Sequence, residues 1–442
     1  MSPKKQKIGV GLIGFGTVGT GVVRILTDRA GEIFRRLGVP LELVRIADLD
    51  IKRDRGIALP PGVLTDRAES LIDDPAVDIV VELIGGYDPA RRFILRAMEK
   101  GKSVVTANKA LLAVHGEELY AAAQTAGVDL GFEASVGGGI PIIRAMKEGL
   151  AANRILSIYG IINGTANYIL SKMTEERRPF AEVLAEAQKR GYAEADPRFD
   201  IEGIDSAHKL AILVTLAFGT PVEMKSIYTE GITGITPTDI EYAKEFGYRI
   251  KLLAIAKAGE DGQAIEVRVH PTMIPEDYLI ATVNGVYNAI YISGDAVGNT
   301  LFYGQGAGSM PTGSAVVSDL MEAARNILYD SVGCVPPTGF DPGSRPALAI
   351  KPMEAIRSNY FIRFSALDKP GVLSRISGVL GKFNISISSM IQKGRKADEA
   401  VPVVMMTHRA LERDVQQALA EIGRMSDVTG KTVLIRVEGE DE

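Results

Sequence analysis

The chain has 442 residues, too many for one hydrophobic core and enough for two or three domains. Apolar residues make up 46% and charged residues 24%, the proportions of a soluble globular protein, and a net charge of -5 gives no basis for a nucleic-acid partner. A single cysteine, Cys334, excludes an internal disulfide and a cysteine-based metal cluster.

The four histidines (His115, His208, His270, His408) show no ligand spacing, so chemistry must come from Lys, Asp, Glu, backbone groups or a bound cofactor. Lys4, Lys5 and Lys7 precede only IGVGLI, a strand-length run rather than a signal-peptide core. The longest apolar run, LAILVTLAFG, is about half the length a bilayer span needs. A cytoplasmic protein with no membrane contact is expected.

Residues 8–19, IGVGLIGFGTVG, read as a strand running into Gly14, Gly16 and Gly19, followed by a long amphipathic helix (Val18, Val22, Ile25, Leu26, Ile33). In that setting G-x-G-x-x-G permits a tight turn, close approach of backbone to a pyrophosphate, and a helix N-terminus that favours negative charge. Gly14, Phe15, Gly16, Thr17, Val18 and Gly19 are therefore candidate cofactor-binding residues. A second strand, LELVRIAD, ends at Asp48, whose carboxylate would accept from ribose hydroxyls; the long helix explains a spacing above the usual ~20 residues. Asp48 points to NAD, whereas Lys52, Arg53 and Arg55 are placed to meet the extra phosphate of NADP. The coenzyme preference stays open.

Alternation continues with DIVVELIG (78–85), a helix from Pro89 to Lys100, SVVTAN (103–108), a helix from Lys109 to Ala126, and the strand VDLGFEA (128–134). Strands separated by helices indicate a doubly wound parallel sheet, whose ligands bind beyond the carboxyl ends of the strands. Ile84, Gly85, Thr106, Asn108 and Lys109 stand at those ends. In EASVGGGIP (133–141) three glycines leave a run of carbonyls suited either to a hard monovalent cation or to a tight crossing between domains. The composition changes near residue 141, where helix, strand (ILSIYGIING) and helix (TANYILSKM) follow.

Residues 187–219 concentrate ionisable groups against the apolar run: Glu194, Asp196, Asp200, Glu202, Asp205, His208 and Lys209. On a helix Asp205 and Lys209 lie one turn apart, which suits either an ordinary ion pair or a lysine proton donor steadied by a carboxylate. Alternating strands then fill 220–300, and YGQGAGSMPTG (303–313) is a second glycine-rich turn whose following helix could return to the first domain with Gly306 or Gly308 against the cofactor. A Pro/Gly-rich linker precedes strand, helix, two strands, helix and strand, the βαββαβ order, with Glu438–Glu442 expected as a solvated acidic end.

The architecture expected is α/β: a Rossmann-type doubly wound parallel sheet, an α+β substrate or dimerisation domain, and a C-terminal ferredoxin-like unit. The boundaries expected are 1–140 for the dinucleotide domain, completed by a helix at about 305–330, then 141–304, a linker at 331–358, and 359–442.

From Ala187 through Gly191-Tyr192-Ala193, Asp196-Pro197, Asp200-Ile201, Gly203 and Asp205 to Lys209, the chain closely resembles the signature of homoserine dehydrogenases. The resemblance takes in the glycine loop, TANK (106–109), EASVGGGIP, NGTANYIL (163–170) and GQGAG, and the tail with LDKPGVL (367–373) resembles an ACT domain. It implies NAD(P)-dependent interconversion of homoserine and aspartate 4-semialdehyde. Lys209 would be the acid-base residue, Asp205 its carboxylate neighbour, Glu194 the ligand of the substrate amine, and Asp200 a further active-site carboxylate. Lys109 would lie close to substrate and nicotinamide, Gly308 near the cofactor, and the backbone oxygens of Glu133, Val136, Gly138 and Ile140 would hold Na+. Many relatives carry an arginine after the acidic residue of the second strand, where this chain has Leu49, which weakens NADP specificity. Threonine is the implied effector of the ACT domain, which could instead serve only assembly, and a homodimer or homotetramer is implied. Two rivals are an aspartate-semialdehyde dehydrogenase, which needs a cysteine nucleophile that only Cys334 could provide, and a non-enzymic amino-acid sensor, which has no need of a proton donor.

Overall fold

Strand β1 (Ile8–Ile13) is buried along its whole length, as a strand covered on both faces must be. In the computed structural model, which describes residues 5–393 and 399–439, it is central to a six-stranded sheet. With β2 (Leu41–Ala47), β3 (Leu64–Thr65), β4 (Ile79–Glu82), β5 (Ser103–Thr106) and β6 (Leu130–Gly131), the order is β3-β2-β1-β4-β5-β6 and every pairing is parallel. The order reverses direction between β1 and β4, the switch point at which such sheets bind ligands.

Two local expectations change. The long helix after the glycine loop is broken into Thr17–Asp28 and Ala30–Leu37, with Arg29 outside helical geometry between them, and the break turns Ile33 and Leu37 onto the core. The strand expected over 128–134 is only Leu130–Gly131, followed by a 3-10 turn at Glu133–Ser135. The cause is a side chain: the Glu133 amide donates to the Asp319 carboxylate (2.8 Å) instead of to a ladder partner.

The chain packs as two compact units, the first comprising residues up to Ile158 with His208–Lys225 and Tyr287–Leu348. Within it, the helix Ser309–Tyr329 packs on Thr17–Asp28, sharing a core of Val22, Val23 and Leu26 with Val316, Val317, Leu320 and Ala324. A side chain at Gly21 would overlap the Ser309 carbonyl, so glycine permits this approach. Burial of this kind contributes roughly 1.5–3 kcal/mol per large aliphatic side chain.

The second unit contains Tyr159–Ala207, Ser226–Val286 and the chain from Ala349 onward. Its strands Tyr248–Ala258 and Ala264–Pro275 pair antiparallel. A helix that the alternation in 220–300 does not announce, Pro237–Glu245, starts at a Thr236–Asp239 capping box with proline at its first position. The C-terminal fold has the expected order: Arg357–Leu367, helix Val372–Lys382, Ile387–Gln392, Ala400–Thr407, helix Glu412–Ile422, Val433–Val437. Both helices cover one core with Tyr360, Ile362, Phe364, Ile376, Leu380, Val415 and Ile422.

One expectation about the tail is corrected. Glu438 is buried, not solvated, and is paired with Arg268 and with Lys257 (2.6 Å). A buried guanidinium on a neighbouring strand demands a carboxylate, and the tail provides it. Residues 440–442 lie outside the described residues.

Candidate active site

The glycine loop is held by sterics that leave its outer face clear. Gly14 has φ +101°, and a Cβ there would come 2.8 Å from the Leu83 carbonyl carbon, while one at Gly19 would overlap the Gly14 carbonyl oxygen. A Cβ at Gly16 would meet nothing within 4 Å. Gly16 caps a helix, Thr17–Asp28, that has no acidic residue in its first turn, so its free amides and positive end are available to an anion. Phe15 is buried, Thr17 exposed and Val18 half-buried beside them. The cradle fits a dinucleotide pyrophosphate.

The Asp48 carboxylate is engaged within the chain. One carboxylate oxygen accepts from the Phe15 amide (2.6 Å), the other from the Asp50 amide (2.8 Å) and Arg55 Nη2 (3.0 Å). Arg55 also donates through Nε to the Phe15 carbonyl (2.7 Å) and lies 4.8 Å over the Phe15 ring. Its side chain is only 7% exposed, so of the three basic residues considered for an extra phosphate, Arg55 braces the loop whereas Lys52 and Arg53 are exposed. Leu49 is 94% exposed.

At the ends of β4 and β5 one buried carboxylate organises the neighbouring candidates. Glu82 accepts from the amides of Ile84 (2.8 Å) and Gly85 (3.0 Å) and from the Thr106 hydroxyl (2.6 Å). Thr106 in turn accepts from the Asn108 amide (3.0 Å), and Asn108 caps the helix Lys109–Ala126 through the Leu111 amide (3.1 Å). Lys109 is thereby fixed, half-buried, at the first position of that helix.

The Glu133–Ile140 turn is buried apart from Gly139. The Glu133 carboxylate accepts from the amides of Ile143 (2.7 Å) and Arg144 (2.9 Å), and burial raises its pKa. Asp319 beside it is pushed up to about 8, by burial first and by the Glu133 charge second. The turn is tied to the second glycine loop by Gly139 N–H donating to the Gln305 carbonyl (3.1 Å), and a Cβ at Gly138 would overlap the Gly306 backbone. Gly308 follows, at φ +128°, as the cap of the returning helix.

In the second unit an asparagine joins two of the carboxylates. Asn163 Nδ2 donates to Asp200 Oδ1 (2.7 Å) and Asp205 Oδ2 (2.8 Å), while its Oδ1 accepts from the Ala166 amide and caps the helix Gly164–Glu176. Asp200 is half-buried, Asp205 is buried, and Glu194 is exposed on the preceding loop. Asp205 opens the helix Ile204–Phe218, and Lys209, also buried, comes one helical turn later. Asn163 and Glu82 were not singled out as site residues from the sequence; the N-cap pattern of NGTAN was the available signal for the first, and nothing local marks the second.

Cys334 is exposed. No group of His, Cys, Asp and Glu side chains suited to a metal occurs among the described residues, and none of their helices is long and apolar enough to cross a membrane.

A family model described as homoserine dehydrogenase, NAD binding domain, matches residues 14–133; one described as homoserine dehydrogenase matches 141–321, and an ACT domain model matches 360–426. The homoserine dehydrogenase of Pseudomonas aeruginosa is 49% identical across 98% of this chain and 99% of its own length. A crystal structure of a homoserine dehydrogenase from Thiobacillus denitrificans superposes with a TM-score of 0.93 at 50% identity, covering 99% of both chains. A hyperthermophilic archaeal homoserine dehydrogenase solved in complex with NADPH is more distant, with a TM-score of 0.62 and 27% identity over 72% of this chain and 97% of that one. The glycine cradle, the signature carboxylates and these matches lead to one conclusion: the chain belongs to the homoserine dehydrogenase family of oxidoreductases, with an NAD-binding domain ahead of the matched segment and an ACT domain behind it.

Proposed function

We propose that Lys209 moves the proton in the interconversion of homoserine and aspartate 4-semialdehyde, and that the carboxylates joined at Asn163 order the substrate end of the reaction. The observation that carries this reading is the single amide nitrogen donating to both Asp200 and Asp205, which holds two like charges near one another at the start of the lysine's helix. A bound nicotinamide supplies the hydride for reduction and takes it back in oxidation. The alkoxide formed at the former aldehyde carbon needs a proton, which Lys209 gives directly or through a water. Asp205 steadies the charged lysine, and Glu194, exposed on its loop, pairs with the substrate ammonium. Lys109 lies close to both the substrate and the nicotinamide in this reading. In the oxidative direction Lys209 must be neutral; since free lysine titrates near ~10.4, oxidation should improve in alkaline solution.

The coenzyme is NAD or NADP, held by Gly14, Phe15, Gly16, Thr17, Val18, Gly19, Asp48, Ile84, Gly85, Thr106, Lys109 and Gly308. Exposed Lys52 and Arg53 favour acceptance of the extra phosphate, and Leu49 argues against strict dependence on it. The carbonyls of Glu133, Val136, Gly138 and Ile140 would hold a monovalent cation, a reading that the burial of their turn supports. Residues 1–140 with 305–330 serve the coenzyme, 141–304 the substrate and subunit pairing, 331–358 the linkage, and 359–442 the regulation by an amino acid such as threonine. The working form is a cytoplasmic homodimer or homotetramer.

Oxidation of NADH and of NADPH with aspartate semialdehyde, each with and without threonine, tests this. Turnover with one or both coenzymes and its depression by threonine are expected. Absence of semialdehyde-dependent oxidation would remove the reading.

A further inference from the structure

The C-terminal fold and the Asn163 cluster belong to the same unit, and residues 228–232 connect them. Arg436, on the last strand and almost fully buried, donates to Glu412 through Nε (3.0 Å) and Nη2 (2.6 Å), and Glu412 also accepts from Tyr360 OH (3.0 Å) in the core of that fold. Glu412 alone neutralises the guanidinium. The remaining Nη1 nevertheless donates to Glu230 (2.7 Å), which also accepts from Tyr228 OH (2.8 Å), while the Tyr228 ring lies 4.9 Å from the guanidinium. Glu230 therefore adds direction rather than charge balance.

From Glu230 the contacts are backbone to backbone. Its amide donates to Val269 (2.8 Å), and the Ile232 amide donates to the Ile201 carbonyl (2.8 Å). A Cβ at Gly231 would overlap that same carbonyl and lie 2.6 Å from Glu202 Cα, and Gly203, at φ +82°, faces Thr229 and Glu230. Ile201 closes the turn Arg198–Ile201 that carries Asp200, and the Gly203 amide donates to the Asp200 carbonyl (3.2 Å) just before Asp205. Backbone meets backbone at Gly231, and the Val269 and Thr229 side chains close the space at Gly203, so a shift of Glu230 passes to the backbone of both carboxylates.

We propose that Glu230 and Arg436 are positioning residues for the reaction, setting the 198–205 backbone and hence Asp200 and Asp205 from within the C-terminal fold. The proposal rests on the reading of those two carboxylates given above. Anything that displaces the strand Val433–Val437 then alters substrate handling and leaves the coenzyme cradle alone.

The test uses the full chain, with Glu230→Gln, which keeps an acceptor but loses the charge, and Arg436→Lys, which keeps the charge but loses the fork. Amide hydrogen exchange of residues 198–205 should quicken in both, and kcat/KM for homoserine should fall roughly 3- to 30-fold with coenzyme KM within about twofold. Exchange that stays unchanged in both variants overturns the proposal, as does quickened exchange with undiminished homoserine kcat/KM. Asp200→Asn, assayed alongside, separates the two readings: full activity there removes the role of Asp200, while the exchange of 198–205 still decides whether the link exists. A merely structural ion pair would instead lower thermal stability and move coenzyme and homoserine kinetics together.

Discussion

The glycine loop and the Asn163 cluster, proposed above for coenzyme and substrate, are made of different materials. The loop works with backbone amides, and its requirements are local: a positive φ at Gly14, no side chain at Gly19, and open space at Gly16. The cluster works with side chains from three segments, Asn163, Asp200 and Asp205, that meet only after folding. Backbone sites therefore tolerate change in nearby side chains and fail when a Cβ is added. Side-chain clusters fail when any one member is lost, because a buried donor or carboxylate left unpaired costs far more than the bond contributed.

The largest effect should come from the helix that follows the cluster. Lys209→Ala is expected to lower kcat by roughly 100- to 10,000-fold while coenzyme binding, followed by fluorescence titration, stays intact. Unchanged turnover would sink the assignment of Lys209 as the proton carrier. Next, Asn163→Ala should lower homoserine kcat/KM by roughly 10- to 100-fold, since hydrogen bonds to two carboxylates are lost together with a helix cap. Loss confined to thermal stability would show that Asn163 is a cap alone.

On the other side of the comparison, Arg55→Ala removes a brace from the loop without adding a Cβ where none fits. KM should rise a few-fold for NADH and NADPH alike, because the guanidinium is committed to the Phe15 carbonyl and ring and to Asp48. A selective loss with NADPH would contradict that role.

The smallest effect concerns the support behind the two glycine loops. Asp319 has its pKa raised from 3.8 to about 8, chiefly by burial, so the folded state keeps a proton that the unfolded chain releases. Its share of stability is thus intact below pH ~4 and declines as pH rises towards about 8. Asp319→Asn retains an acceptor for the Glu133 amide and removes the ionisation. Its Tm relative to the parent should increase steadily from pH 5 to pH 8; a difference constant with pH would show that Asp319 is already charged.

Legibility followed the same division. The parallel sheet, the glycine cradle and the βαββαβ tail could be read because each depends on hydrophobic period and on residues within one or two turns of each other. The signature carboxylates could be named through family resemblance, though not from spacing. What escaped was long-range and polar. Glu82 gathers Ile84, Gly85 and Thr106, Arg55 turns inward onto Phe15, and Glu438 leaves the solvent to meet Arg268. In each case the partner is distant in sequence or a backbone amide, and neither leaves a mark on the local pattern.

By itself the sequence determined the order of most elements and which residue types are available for proton transfer and pyrophosphate binding, because propensity, periodicity and glycine requirements act over short distances; the helix Pro237–Glu245, the break at Arg29 and the shortened strand Leu130–Gly131 were not among them. Only the tertiary structure decided which carboxylate stands by which donor: Asp48 on Phe15 and Arg55, Asp319 on Glu133, Asp200 and Asp205 on one asparagine. The physical reason is that a buried charge or amide must find a partner wherever packing brings one within about 3 Å, and that choice is made by the whole fold.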